Sequence, residues 1–177
     1  MIFCETKLPG AFIIEVARLE DERGFFGRTF CRNEFARRGL NPNVAQCNIS
    51  FNRDAGTLRG MHYQSAPYAE DKLIRCTKGK LYDVIVDLRR KSATFKQWIA
   101  VELTEENRLM LYVPKGCAHG FQTLEDNTEV FYQMSEFYHP DFACGVRWND
   151  PAFGIRWPMM EQVIISERDR NWPDHGA

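Results

Sequence analysis

Two of the chain's four histidines stand in surroundings that could do chemistry: His62 in Leu58-Arg-Gly-Met-His-Tyr-Gln64, and His119 in Pro114-Lys-Gly-Cys-Ala-His-Gly-Phe121. Imidazole gains and loses a proton near neutrality, so either ring could act as a base, although each also suits a packed strand position. Arg59 lies three residues before His62 and Lys72 ten residues after it. Together the three groups can hold an anion or move a proton. Arg23, in Asp21-Glu-Arg-Gly-Phe-Phe26, precedes an aromatic pair that could pack on a flat base while the guanidinium clamps a phosphate. Further along, Gln46, Asn48 and Ser50 alternate with Cys47 and Ile49, so one strand face can present amides to a ligand or to water.

The elements that must position these residues read as strands. Short aliphatic and aromatic runs recur over 11–16, 25–31, 44–51, 57–63, 72–77, 81–88, 97–103, 109–113, 120–124 and 128–138, with turn residues between them. Lys78-Gly79 suits a tight hairpin and Pro114-Lys115-Gly116 a type II turn. In 81–88, Leu81, Asp83, Ile85 and Asp87 share one face, and Tyr82, Val84, Val86 and Leu88 form a wholly apolar second face. Helix is expected only around 33–38, stopped by Gly39, and near the C-terminus, where Ser166 can cap a turn containing Asp169. About ten strands and little helix indicate an all-β sandwich or barrel, and a jelly roll encloses a pocket between its sheets.

The 177 residues, 44% hydrophobic and 27% charged, suit one globular domain over 1–177. A net charge of -1 gives no global field for nucleic acid or an anionic membrane. The first residues lack the pattern of a secretory signal and no apolar run approaches a membrane span, so a cytoplasmic protein is expected. The six cysteines form no Cys-x-x-Cys pair and read as reduced, buried thiols. Cupin jelly rolls often bind iron, manganese or zinc through two histidines two apart, but here that place reads His62-Tyr63-Gln64, and an amide is a poor substitute ligand.

In sequence order, Arg23-Gly-Phe-Phe, Gln46-x-Asn48, Leu58-Arg-Gly-Met-His-Tyr-Gln64, Lys72-Leu-Ile-Arg-Cys, Tyr82-Asp-Val-Ile-Val-Asp-Leu-Arg89, Pro114-x-Gly-x-Ala-His-Gly-Phe121, Phe131-Tyr132 and Trp148-Asn-Asp-Pro151 resemble the dTDP-4-dehydrorhamnose 3,5-epimerase family. The resemblance runs from Pro9 to Asp169. It implies a cupin-like double-stranded β-helix, no cofactor and no metal, and a homodimer whose N-terminal segment reaches the partner. The implied substrate is a nucleotide-diphosphate 4-keto-6-deoxy sugar, whose C3 and C5 protons flank the C4 carbonyl. By resemblance His62 is the general base, Asp169 orients its imidazole, Lys72 faces the developing charge on O4, and Tyr132 is the opposed acid. Arg59 and Arg23 would hold the diphosphate, Gln46 and Asn48 the nucleoside, and His119 and Tyr138 the sugar end. Phe26, Arg28 and Arg168 complete the expected binding set.

Two positions depart from the family's pattern. Arg28 stands where many members carry Glu, and Ala143 where a Glu commonly lies between Tyr138 and Trp148. A carboxylate accepts from an imide N–H such as that of thymine, whereas arginine only donates. The base, and inversion at C3, C5 or both, stay open at this point. A metal-dependent cupin oxygenase or isomerase and a non-catalytic sugar-nucleotide-binding module are the alternatives.

Overall fold

The computed structural model of the protein describes residues 1–176. Its N-terminal third holds β1 (Ile2–Glu5), β2 (Phe12–Glu15), β3 (Arg18–Asp21), β4 (Gly24–Gly27), helix α1 (Arg32–Arg37) and β5 (Gln46–Asn52). The middle is almost all strand: β6 (Thr57–Gln64), β7 (Lys72–Lys78), β8 (Lys80–Asp87), β9 (Trp98–Thr104), β10 (Met110–Val113), β11 (Cys117–Thr123) and β12 (Thr128–Met134). Short elements follow, with β13 (Ala143–Gly145), β14 (Ile164–Ile165) and the single turn α2 (Glu167–Arg170).

Two sheets form. The first runs β1-β2-β10-β7-β12-β5, and the second β13-β6-β11-β8-β9, with β14 lying parallel to the start of β6. From β5 to β13 the chain changes sheet at every connection except the one between β8 and β9. This alternation is the jelly roll expected from the strand-rich sequence, in the cupin-like form that the family resemblance implies. Strands β3 and β4 pair only with each other, as a separate hairpin.

Strand pleating builds three apolar layers. Between the sheets pack Ile74, Leu81, Ile85, Leu111, Phe121 and Val130. The face of β8 that carries Asp83 and Asp87 is therefore the inner one, and both carboxylates are fully buried. Its apolar second face also leaves water, because Val84 and Val86 lie under Phe153 and Trp157 of the C-terminal segment. On the outside of the first sheet, Phe35 of α1 covers Ile14, Leu73, Met110 and Tyr112. Nothing in the described chain covers the outer positions of β5, where Ile49 and Phe51 are 65% and 53% exposed.

Several expectations need correction. Lys78-Gly79 does not close a hairpin: β7 and β8 belong to opposite sheets, and Gly79, at φ +74°, turns the corner against Thr128. For the same reason Arg59 and His62 on β6 face Lys72 on β7 from the opposing sheet instead of an adjacent strand. The run over 25–31 is strand only to Gly27, and that over 128–138 only to Met134, while β1, β3, β13 and β14 were not anticipated. All six cysteines are free, but only Cys76 and Cys117 are buried; Cys4 and Cys47 are exposed. Both expected helices form: Gly39 at φ +71° follows α1, and the Ser166 Oγ accepts from the Asp169 N–H at 3.1 Å. No helix of the described residues is long and apolar enough to cross a membrane.

Candidate active site

A cavity of about 300 Å³ opens between the sheets. Asn48 and Ser50 of β5, Lys72 of β7, and Tyr132 and Met134 of β12 form one wall. Arg59, His62 and Gln64 of β6 face them from the other, with His119 and Phe121 of β11. His62 and Tyr132 therefore stand on opposite walls of one cavity.

Two glycines bring β6 and β11 close enough to set the second wall. A Cβ on Gly60, itself at φ +137°, would lie 2.5 Å from the Gly120 Cα. The register places His62 opposite His119 just before the irregularity these glycines create. His62 Nε2 meets Asp169 Oδ1 at 2.7 Å, and the Gly60 N–H donates to the other carboxylate oxygen at 3.2 Å. Asp169 arrives from 107 residues away, carried by the capped turn α2. Trp172 anchors that turn. Its ring occupies the space a side chain at Gly145 would need, packs edgewise toward His62, and lies under the Arg168 guanidinium.

Burial alone raises the Asp169 carboxyl, but the bonds from His62 and Gly60 more than offset it and hold the group below the usual carboxylate range. Tyr132 is shifted the other way. Burial pushes its phenol well above the ordinary value, helped by the charge of Asp83 and opposed by Arg59 and Ser50. An imidazole backed by an ionised carboxylate on one wall, facing a phenol that stays protonated on the other, can take a proton from one side of a bound ring while the phenol gives one to the other side.

Lys72 Nζ donates to the His62 carbonyl at 3.4 Å and faces Glu70 Oε1 at 3.2 Å. His119 Nε2 meets the fully buried Asp83 Oδ1 at 2.6 Å, a second imidazole–carboxylate pair beside the first. Gln64, at the place a second metal-binding histidine would occupy, is engaged otherwise. Its amide donates to Tyr68 O, Phe137 O and Glu70 Oε2 and accepts from the His139 N–H. Among the described residues no group of three His, Cys, Asp or Glu side chains is placed to hold a metal ion.

The expected residues thus divide. His62, Lys72, Tyr132, Asn48, Arg59, His119, Tyr138 and Arg168 line the cavity, as does Ala143, and Asp169 lies directly behind His62. Gln46 stands just outside, accepting from the Tyr138 N–H at 3.0 Å. Arg23, Phe26 and Arg28 do not join them within one chain. Arg23 pairs with Asp21 on the exposed hairpin, Phe26 is 73% exposed, and Arg28 donates to Glu34 at 2.9 Å. Glu70, Asp83 and Trp172 were not anticipated. The i, i+2 spacing of Glu70 and Lys72 and the inner-face position of Asp83 were readable signals for the first two.

The chain is similar to known proteins over nearly its whole length. The family model described as dTDP-4-dehydrorhamnose 3,5-epimerase matches residues 5–176. The dTDP-4-dehydrorhamnose 3,5-epimerase of Methanothermobacter thermautotrophicus is 44% identical over 172 residues, 96% of this chain and 92% of that one. The crystal structure of the enzyme of that name from Elizabethkingia anophelis NUHP1 superposes with a TM-score of 0.96 at 39% identity, covering 98% of this chain and 96% of the other. A dTDP-6-deoxy-D-glucose-3,5-epimerase from Legionella pneumophila Philadelphia 1, in complex with dTDP-4-keto-L-rhamnose, gives 0.91 at 35% identity, covering 98% and 92%. Match over nearly the whole length, in sequence and in fold, leaves one assignment: the chain belongs to the dTDP-4-dehydrorhamnose 3,5-epimerase family and is a carbohydrate epimerase, an isomerase.

Proposed function

We propose that the chain, acting as one domain, inverts C3, C5 or both of a dTDP-linked 4-keto-6-deoxyhexose in deoxysugar biosynthesis, without metal or cofactor. The observation that carries the reading is the placement of His62 and Tyr132 on opposing walls of one cavity. His62, oriented by Asp169, removes the proton next to the C4 carbonyl. The electron pair of the C–H bond moves into the ring and onto O4, giving an enolate. Lys72 supplies an N–H to that oxygen; one such donor contributes about 3 kcal/mol of transition-state stabilisation. Tyr132 then protonates the same carbon from the other face, and inversion is complete when phenolate and imidazolium return to their starting states.

A cavity of about 300 Å³ lies at the small end of ligand pockets, enough for the sugar ring but not for a whole sugar nucleotide. Arg59, Asn48 and Arg168 are exposed at the rim, and there the diphosphate and nucleoside extend. We assign Arg23 and Phe26 to the partner's nucleotide in a homodimer. The uncovered Ile49 and Phe51 and the exposed hairpin residues Leu19 and Phe26 support that assembly. Arg28 is engaged by Glu34 of its own chain, so its departure from the family's Glu is compatible with a thymine base. Free thiols at all six cysteines suit a reducing compartment, and the cytoplasm is part of the proposal.

The test is incubation with dTDP-, CDP-, UDP- and GDP-linked 4-keto-6-deoxy sugars, with NMR of the products. Inverted product from the dTDP sugar supports the reading, and binding without turnover of any of the four would favour a binding module instead.

A further inference from the structure

Glu70 lines the cavity from the loop between β6 and β7, and no part of the mechanism above uses it. Its side chain and that of Lys72 are 6% and 8% exposed, with 3.2 Å between Oε1 and Nζ. A lysine head removed from water at the end of a flexible four-carbon stem needs a counter-charge and fixed neighbours to keep one direction. Lys72 has two: the Glu70 carboxylate and the His62 carbonyl. An ammonium carries three N–H groups, so with these two neighbours served a donor is left for the cavity. Glu70 is itself held, its Oε2 accepting from Gln64, whose amide is tied to the backbone of Tyr68, Phe137 and His139. The neighbouring Asp71 cannot take its place, because it accepts from the Lys115 N–H and the Asn41 amide.

We propose that Glu70 is a positioning residue of the epimerase reaction, acting only through Lys72 by aiming the ammonium at the point where O4 becomes charged. The inference rests on the role assigned to Lys72 above. It carries a sign that separates aiming from simple electrostatics. Removing an anion beside Lys72 would, by Coulomb attraction alone, strengthen the pull on the enolate and raise the rate. Loss of aim lowers it.

The experiment measures kcat, KM and deuterium incorporation with the dTDP-linked 4-keto sugar for Glu70→Gln in the natural background and in Lys72→Met. The expected result is a fall in kcat of about tenfold to a hundredfold, the scale of a misplacement of about 1 Å, with KM within about twofold. In Lys72→Met, where nothing remains to be aimed, adding Glu70→Gln changes kcat by less than about twofold. Glu70→Asp keeps the charge and withdraws it by one methylene; it falls in the same sense and serves where Glu70→Gln does not fold. An unchanged or raised kcat overturns the proposal, as does an equal fractional loss in both backgrounds, which marks a structural role through Gln64. A natural protein that incorporates no deuterium at C3 or C5 instead overturns the assignment of the site itself, and the proposal with it.

Discussion

At the scale of residues, Asp169 stays ionised behind His62, whose imidazole is the proposed base, while burial keeps the phenol of Tyr132, the proposed acid, protonated. His62→Asn should lower turnover by about a hundredfold to ten-thousandfold, the usual worth of a general base, measured as initial rates by NMR. Asp169 carries a linkage to stability as well. Its carboxyl lies below the usual range when folded, so its contribution is present above the unfolded value and is lost as pH falls through the folded one. Urea unfolding should show Asp169→Asn less stable than the natural protein by about 1–3 kcal/mol at pH 7, with the gap closing well below about pH 4. The residue types were legible early, since His62, Lys72 and Arg59 crowd one short span. The pairing of His62 with Asp169 came only from the family resemblance, because 107 residues of chain separate them and no local period links the two.

At the scale of elements, the C-terminal turn places Asp169 behind His62 with only a short element to hold it. α2 is four residues long and depends on the Ser166 cap and on Trp172 seated over Gly145. A methyl at Gly145 would lie 2.3 Å from the Trp172 ring, so Gly145→Ala must displace the ring and the turn that carries Asp169. The expected outcome is a loss of about 1–3 kcal/mol of stability by thermal unfolding, the usual cost of overpacking, together with a fall in kcat larger than any rise in KM. Strand runs were readable because alternation marks them, and Ser166 because capping is local. Which strands pair was not. Lys78-Gly79 has hairpin chemistry, yet β7 pairs with β10 and β12 while β8 pairs with β11 and β9. Strand partners follow the burial of whole faces across two sheets, a choice that a turn dipeptide does not encode.

At the scale of the whole molecule, apolar surface left over by one chain points to a second. Ile49, Phe51, Leu19 and Phe26 are all more than half exposed, and Arg23 and Phe26 lie on a hairpin that makes no sheet with the rest. Ile49→Glu with Phe51→Glu should convert a dimer to a monomer by light scattering. The monomer should bind dTDP at least about tenfold more weakly, the equivalent of about 1.4 kcal/mol, because the partner's hairpin is gone. An unchanged mass and affinity would remove the homodimer from the account.

Whether His62 and Tyr132 serve opposite faces of one enolate is decided by Tyr132→Phe in deuterated water. The His62 side chain is 40% exposed, so its captured proton can exchange with solvent before it returns. The variant should therefore place deuterium at C3 or C5 with the original configuration kept and inversion slowed by about a hundredfold or more. Inversion at the natural rate in Tyr132→Phe would contradict the account.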